Sequence, residues 1–390
     1  MPLWLVITGL GITQIIGWGT TYYALGALSP DIALATGWPP ALIFGAFSAA
    51  LLVSGLISRW AGRFVDRHGG RRLMMTGSLL AALGLGLTGL IANPVTYIVG
   101  WLVLGVAMRL MTYDAAFASL AQIAGAQARR AISYLTLFGG LASTVFWPLS
   151  HWLSEGLGWQ STFLVFAALH VFICLPIHGL VLKGARGEAH LDFNTDDAAK
   201  PLTGLERRKA MTLFAAALAI NGLVFSGVSA HVVPLFEGLG FAGASAVGMA
   251  ALIGPAQVAS RLGEILLGPR LTTTQLGLLA FGLLPVALGV FAAGGFSWTA
   301  ALAFAVLYGA SNGLVTIAKG AVPLVLFGRR GYGEVLGIVS APNLVLNAVA
   351  PLLFALLLSM TTPQTALTIA GGAAIVSGLA MLWLSRLHPR

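Results

Sequence analysis

The chain has 390 residues, of which 58% are hydrophobic and only 8% are charged, with a formal net charge of +9 and a mean hydropathy of +0.91. A soluble protein of this length needs far more charged surface, so the composition excludes the soluble globular classes. A membrane-spanning helix needs roughly 20 apolar residues, and such runs follow one another along the chain, which predicts an all-α integral membrane protein.

Clusters of glycine, proline and charged residues divide the chain into twelve apolar segments, which we number spans 1 to 12. They lie at about 4–28, 40–61, 73–92, 95–123, 132–153, 162–182, 210–235, 243–268, 275–294, 298–326, 332–358 and 365–385. One long polar interval divides them six and six. The sequence therefore predicts a six-helix bundle over 1–183, a cytoplasmic central loop over 184–209 and a second six-helix bundle over 210–390.

The positions of the basic residues predict the orientation. With the N-terminus inside, nearly all Lys and Arg residues outside the spans fall in cytoplasmic loops, and the predicted external loops contain none. Both termini are then cytoplasmic, and the compact chain suggests a bacterial inner membrane. The first residues, MPLWLVITG, contain no basic stretch or cleavage site, so no removed signal peptide is expected.

The loop after span 2 reads GRFVDRHGGRR and resembles the signature loop of the major facilitator superfamily. The matching residues are Gly62, Asp66, Arg67, Gly69, Arg71 and Arg72. The resemblance implies a transporter with two bundles and a cytoplasmic latch, in which Asp66 meets the start of span 11 near residues 330–334. A carboxylate is stabilised at that place by exposed backbone N–H groups and the helix dipole. The alternative is a basic loop that only sets the topology.

Span 4 carries two charges within the stretch VAMRLMTYDAAF. A charge at the bilayer centre costs about 2.5–3.5 kcal/mol on insertion scales, so intramembrane charges usually serve a function. Arg109 is predicted near mid-membrane, with Asp114 roughly 7 Å nearer the cytoplasm. In a continuous helix the two residues point about 140° apart, which argues against a simple pair within the helix.

The family resemblance implies that spans 1, 4, 7 and 10 line a central cavity. On span 10, Asn312, Thr316 and Lys319 form one polar stripe at i, i+4 and i+7. The two halves of the chain resemble each other, and superposing Pro148 of span 5 on Pro351 of span 11 maps Arg109 onto Asn312. Two cations facing one cavity favour an anion. The alternative has Arg109 packed against carbonyls and Lys319 paired with an acid. The predicted substrate-binding residues are Gln14, Tyr22, Arg109, Tyr113, Asn221, Asn312, Thr316 and Lys319.

Three roles remain open for Asp114: a relay with Arg59 or Arg67 around the signature loop, a gate pair with Lys319, or a proton carrier. On span 8, Arg261 and Glu264 lie three residues apart, which predicts a mutually satisfied pair on one helix face. The predicted coupling or gate residues are Asp114, Arg59, Arg261, Glu264 and His231. His231, on span 7, could titrate near neutral pH.

Other chemistry has no support in the sequence. His170 and His178 are predicted to be hydrogen-bonded packing residues of span 6. There is no HExxH motif, no serine–histidine–acid spacing and no phosphate-binding Gly-Lys-Ser, and Cys174 is the single cysteine. We expect no enzyme activity, no cofactor, no metal site and no nucleic-acid partner, since the basic residues mark topology. The lipid bilayer surrounds a chain expected to be monomeric.

The sequence favours a secondary active or facilitative transporter, acting by alternating access on a small organic anion such as a monocarboxylate. The proton is a candidate coupling ion, for symport or antiport. One alternative is proton-coupled efflux of a drug or of an arsenite-like solute, because the stretches around TYDAAFASL and RRAISYLTL resemble a small bacterial branch with arsenite-efflux members. Span 5 lacks the glycines of the antiporter signature, and Cys174 alone cannot form a three-thiolate arsenic site. A second alternative is a transporter-like receptor that does not cycle.

Overall fold

The computed structural model describes residues 1–90, 93–183, 201–241, 243–267 and 270–387, and its regular elements within these ranges are all helices. The expected all-α class is confirmed. The helices are Leu3–Trp18, Gly19–Tyr23 (π), Ala24–Thr36, Pro40–Leu56, Ser58–His68, Gly70–Leu90, Pro94–Met111, Tyr113–Ala124, Gly125–Gln127 (3₁₀), Ala128–Gly140, Ala142–Leu169, His170–Cys174 (π), Leu175–Val181, Gly204–Gly238, Gly243–Ala251, Ile253–Leu267, Thr273–Ala293, Trp298–Phe327, Tyr332–Met360 and Pro363–Leu387.

Eight helical stretches in the described part of the chain are long and apolar enough to cross a membrane, or nine if a pair bent by 48° is one span. Two of the missing spans lie in one stretch, Pro94–Val181, which contains three predicted spans separated only by short breaks. One of these breaks is at Gly158, whose φ of 80° turns the chain inside Ala142–Leu169. Predicted span 2 is the bent pair, and predicted span 8 is divided into Gly243–Ala251 and Ile253–Leu267, which are too short to be included. The membrane class therefore agrees with the sequence, while the count of twelve stays a prediction.

The chain forms two compact units. The first comprises Met1–Ala199 with Gly328–Ala341, and the second comprises Lys200–Phe327 with Pro342–Arg390. The start of span 11 is thus part of the first unit, although the sequence predicts bundles over 1–183 and 210–390. Of the predicted central loop, residues 184–200 lie outside the described residues, and residues from Gly204 onward are already helical.

Close glycine contacts pack spans 3 and 4 together in the first unit. A Cβ on Gly84 would lie 2.8 Å from the carbonyl oxygen of Gly100, and one on Gly100 would lie 2.9 Å from that of Gly84. Small residues are common where membrane helices approach closely, because without side chains the backbones can touch. The second unit has an aromatic core that includes Phe236, Phe291 and Phe304.

We predict that Gly84→Ala destabilises the protein by about 1–3 kcal/mol, the usual cost of overpacking a tight contact. The matched control is Gly86→Ala on the same helix, where a Cβ would meet no described atom within 4 Å. That substitution should be neutral or slightly stabilising, since alanine favours a helix over glycine. Equilibrium unfolding in detergent measures both changes, and equal stability of the two variants would contradict the prediction.

Candidate functional site

The predicted signature loop is helical except at Gly69, with Asp66 near the end of helix Ser58–His68. This stretch contacts the start of span 11 within the first unit. The Asp66 carboxylate accepts hydrogen bonds from the backbone N–H of Gly333 at 2.8 Å and of Glu334 at 2.7 Å. Helix Tyr332–Met360 begins there, so its first N–H groups have no partner within the helix and need an acceptor. The contact predicted for Asp66 is confirmed.

Glycines on both sides permit this contact. A Cβ on Gly62 would collide with the carbonyl group of Gly333, and one on Gly333 would collide with Gly62 and with the carboxylate of Asp66. At the end of Ser58–His68, Gly69 has a φ of 76°, which side chains rarely allow. The glycines of the signature therefore provide a close backbone approach and a turn.

Surface charges surround this contact. Glu334 pairs with Arg59 and Arg63, each at 2.9 Å, and both arginine side chains are about half exposed. The structure therefore does not support the hypothesis that Arg59 pairs with Asp114, because Arg59 pairs with Glu334 at the start of span 11. Pairs this exposed contribute little stability.

The remaining basic residues of the signature loop are either exposed or bonded to span 6. Arg67 and Arg72 are exposed, and the Nε of Arg71 donates to the carbonyl of Gly179 at 2.8 Å. Exposure of Arg67 gives no support to its predicted relay with Asp114. Arg71 instead ties the loop to the end of span 6.

Arg109 and Asp114 form a buried ion pair, with side chains 3% and 9% exposed. The argument against such a pair was wrong because it assumed a continuous helix. Span 4 breaks at Thr112, whose φ of −86° and ψ of −163° are extended, so the 100° rotation per residue does not hold across it. Asp114 also accepts from Ser340 Oγ at 3.3 Å, and Ser340 belongs to the part of span 11 in the first unit.

Two of the predicted site residues, Gln14 and Tyr113, form hydrogen bonds near the break in span 4. Gln14 on span 1 donates through Nε2 to the carbonyl of Met111 at 2.9 Å, at the end of helix Pro94–Met111. The hydroxyl of Tyr113 donates to the carbonyl of Thr136 at 3.3 Å. Trp18 packs against both Tyr22 and Tyr113, with ring centroids 5.4 and 5.2 Å apart. The structure thus brings Gln14, Tyr22 and Tyr113 close to the break, within the first unit.

The polar stripe of span 10 has a buried cation beside it in the second unit. Arg261 is 4% exposed and donates through Nη2 to Thr316 Oγ1 and through Nε to the carbonyl of Gly313, both at 3.4 Å. Thr316 in turn donates to the carbonyl of Asn312 at 2.9 Å. Lys319 is partly exposed on the same helix.

Glu264 is also buried, at 5% exposure, on the helix of Arg261. Their mutual pairing stays a prediction. The structure shows in addition that spans 8 and 10 are in contact, because Arg261 of span 8 donates to Thr316 in the polar stripe of span 10. Helix periodicity within one span could not reveal a contact between two spans.

Two more predicted residues, Asn221 and His231, lie on helix Gly204–Gly238. His231 hydrogen-bonds through Nδ1 to the carbonyl of Gly227 at 3.0 Å, and its ring lies 5.7 Å from that of Phe354. Asn221 is 2% exposed. Next to it on the chain, a Cβ on Gly222 would collide with the carboxamide oxygens of Asn343 and Asn347 on span 11. The sequence analysis missed these two asparagines, although their i, i+4 spacing in an apolar span was a visible signal.

The histidines of span 6 are hydrogen-bonded packing residues, as predicted. His170 bonds to Thr20 at 2.8 Å, joining the two π-helices Gly19–Tyr23 and His170–Cys174. His178 bonds to Ser78 and to Thr13 at 2.9 and 3.0 Å. Across the described ranges, no three His, Cys, Asp or Glu residues are grouped so that they could hold a metal ion.

Comparisons with known proteins agree with this arrangement. A family model described as Major Facilitator Superfamily matches residues 10–272, more than half of the chain. Monocarboxylate transporter 11 of Mus musculus is 26% identical over 382 residues, which cover 93% of this chain and 73% of that protein. The Homo sapiens protein of the same name is 28% identical over 394 residues, covering 91% of this chain and 77% of that protein.

A solved structure, the human organic anion transporter MFSD10 (TETRAN), has a similar fold. The TM-score is 0.76 with 16% sequence identity, and the match covers 98% of this chain and 100% of that one. Identity this low shows the fold alone. The family match rests on the sequence, and the fold match extends the likeness beyond residue 272.

Proposed function

The chain belongs to the major facilitator superfamily, and on that premise we propose that it carries a small organic anion of the monocarboxylate class by alternating access. As a family member it is a multi-pass membrane transporter of a small molecule and not an enzyme. The proposal further includes twelve spans in two six-helix bundles, an inner-membrane location and cytoplasmic termini, as the basic residues predict.

The observation that carries the proposal is the buried guanidinium of Arg261 beside the polar stripe of span 10. A guanidinium presents a fork of N–H donors that fits a carboxylate with two parallel hydrogen bonds. Thr316 adds a neutral polar group next to it, and Lys319 adds a second cation on the same helix. We propose that Arg261 binds the carboxylate and that Lys319 contributes to the positive field.

The names of the similar proteins support an anion. Two relatives are named as monocarboxylate transporters and one structural neighbour as an organic anion transporter. We assign Arg109 to the buried ion pair with Asp114 and not to the substrate, because the carboxylate of Asp114 already balances its charge.

We predict that Arg261→Gln weakens binding of acetate, as a minimal carboxylate, by about 10–100-fold, the equivalent of one hydrogen bond to a charged group. The control is Arg386→Gln, an exposed arginine in the last turn of helix Pro363–Leu387, which should leave binding unchanged. Binding is measured as stabilisation of the purified protein against heat at increasing acetate concentration. Equal binding by the wild type and Arg261→Gln would overturn this assignment.

Counterflow in liposomes tests the transport proposal itself. Liposomes loaded with unlabelled acetate or a larger monocarboxylate should accumulate the labelled anion, faster than protein-free liposomes. A receptor that does not cycle would bind the anion without exchange. Exchange of neutral or cationic solutes without any exchange of carboxylates would instead favour the efflux alternative.

A further inference from the structure

Two cations meet where span 3 begins and span 6 ends, in the first unit. Arg71 is the second residue of helix Gly70–Leu90, and its Nε donates to the carbonyl of Gly179 at 2.8 Å. Gly179 lies in the last turn of helix Leu175–Val181, where the carbonyls have no partner within the helix. Lys183 follows that helix end by two residues. Arg71 and Lys183 therefore lie at the same end of span 6, and we call them the basic pair.

The protein does not neutralise the basic pair. Within the described residues, neither Arg71 nor Lys183 takes part in an ion pair, whereas Arg59 and Arg63 of the preceding helix both pair with Glu334. The side chains of Arg71 and Lys183 are exposed. Two cations at one place repel each other, so an anion bound between them stabilises both.

The basic pair lies at the level of lipid head groups. Helix Gly70–Leu90 has 21 residues, which at 1.5 Å per residue extend over about 31 Å, close to the thickness of the hydrocarbon core. Arg71 is in the first turn of this helix and thus at the edge of the core. Long basic side chains at helix ends place their charged groups among the head groups.

An exposed apolar surface continues from the basic pair along both helices. Leu79 of span 3, and Phe172 and Leu180 of span 6, are each more than half exposed, and we call these three the apolar wall. Met75 lies one turn before Leu79 and packs against Gly179, with its Sδ and Cε 3.6 Å from the place of a Cβ there. The two sides of the wall therefore adjoin each other below the cations.

We propose that this surface binds one anionic phospholipid, with its phosphate between Arg71 and Lys183 and an acyl chain along the apolar wall. Basic pockets between membrane helices bind phosphate-containing head groups. A free phosphate ion or an acidic segment of another protein would balance the cations but would leave the apolar wall without a partner. The inference concerns a bound lipid, so it goes beyond the transported molecule and does not depend on which solute is carried.

Phosphatidylglycerol and phosphatidylcholine with the same acyl chains test the proposal, because only the first has a net charge. Native mass spectrometry of the delipidated protein in detergent measures the affinity for the first bound lipid. Each basic residue near an anionic lipid corresponds to roughly fivefold in affinity, so we expect the wild type to prefer phosphatidylglycerol by about 25-fold. The preference should fall to about fivefold in Arg71→Gln and in Lys183→Gln, and to about one in the double variant.

Three further variants show which interaction is responsible. Arg130→Gln removes an exposed arginine of the same unit that donates to the hydroxyl of Tyr134 on its own helix, and it should keep the wild-type preference. Arg71→Lys keeps the charge without the hydrogen bond from Nε to Gly179, so it should keep most of the preference. Leu180→Asn should weaken binding of both lipids by the same factor, because it changes the apolar wall and no charge.

Four outcomes would overturn the inference. The first two are equal binding of both lipids by the wild type and an unchanged preference in the double variant. The third is inorganic phosphate that displaces phosphatidylglycerol at similar concentration, because the apolar wall would then contribute nothing. The fourth is a dimer that binds no lipid, which would assign the apolar wall to a second copy of the chain. Failure of acetate counterflow would leave the inference standing, since the experiment measures lipid binding alone.

Discussion

Replacing Asp66 by alanine is expected to lower counterflow by at least about 100-fold. The carboxylate accepts two backbone hydrogen bonds, from Gly333 and Glu334, and hydrogen bonds to charged groups contribute about 1.5–3 kcal/mol each. Loss of both removes at least about 3 kcal/mol from the state in which the loop contacts span 11. The equilibrium constant for forming this state then falls by at least about 100-fold, which slows a transport cycle that passes through it.

The accessibility of span 11 to a thiol reagent measures directly whether the contact of Asp66 with span 11 is lost. Val339 is fully buried in the part of span 11 that belongs to the first unit, and the native Cys174 is buried as well. A cysteine in Val339→Cys should react slowly with a water-soluble maleimide in the wild-type background. It should react much faster when combined with Asp66→Ala.

Arg72→Gln is the matched control for Asp66→Ala, because it removes an exposed charge from the same loop. It should leave both counterflow and maleimide labelling close to the wild type. Unchanged labelling and unchanged counterflow in Asp66→Ala would show that the contact has no part in the cycle. If Asp66→Ala loses counterflow while its labelling stays unchanged, the lost transport does not come from opening this contact. That result would contradict the proposal that the contact is a latch.

Replacing Asp114 by alanine should destabilise the protein by about 3–5 kcal/mol, because it leaves the buried guanidinium of Arg109 without a counter-charge. Charges in membrane helices are tolerated when they pair with one another. Equilibrium unfolding in detergent, followed by tryptophan fluorescence, measures the loss. The free energy of unfolding should fall more than in any other substitution considered for the first unit.

A double variant separates the pair from a general packing effect. Replacing a buried ion pair by apolar residues of similar size is often neutral or stabilising, so Arg109→Met with Asp114→Leu should recover most of the stability. Ser340→Ala removes one hydrogen bond to Asp114 and should cost about 1–2 kcal/mol. If Asp114→Ala keeps the stability but abolishes proton-dependent counterflow, Asp114 is a proton carrier and the structural assignment is wrong.

Much of the architecture followed from the sequence. Apolar runs predict membrane helices because every backbone polar group in lipid must find its partner inside the same helix. The signature loop predicted the contact of Asp66 with the start of span 11, because a short motif of glycines and one acid contains the turn, the close approach and the charge together. These are local properties, so neighbouring residues were enough to infer them.

The site depended more on tertiary structure. Periodicity placed Asn312, Thr316 and Lys319 on one face of span 10 but could not show that Arg261 of span 8 donates to Thr316. It likewise selected Asn221 without the two asparagines of span 11 that lie over Gly222. Such contacts join residues far apart in the chain, and a single sequence contains no signal that pairs them.

The sequence by itself determined that this is a helical membrane transporter of its family and that two charges lie inside span 4. Only the tertiary structure decided what those charges do. The rotation of an ideal helix directs Arg109 and Asp114 apart, whereas the extended backbone at Thr112 brings them together. That break is stabilised by Gln14 of span 1, which donates to the carbonyl of Met111. The conformation of one residue was set by a neighbouring helix, and no local pattern encodes that.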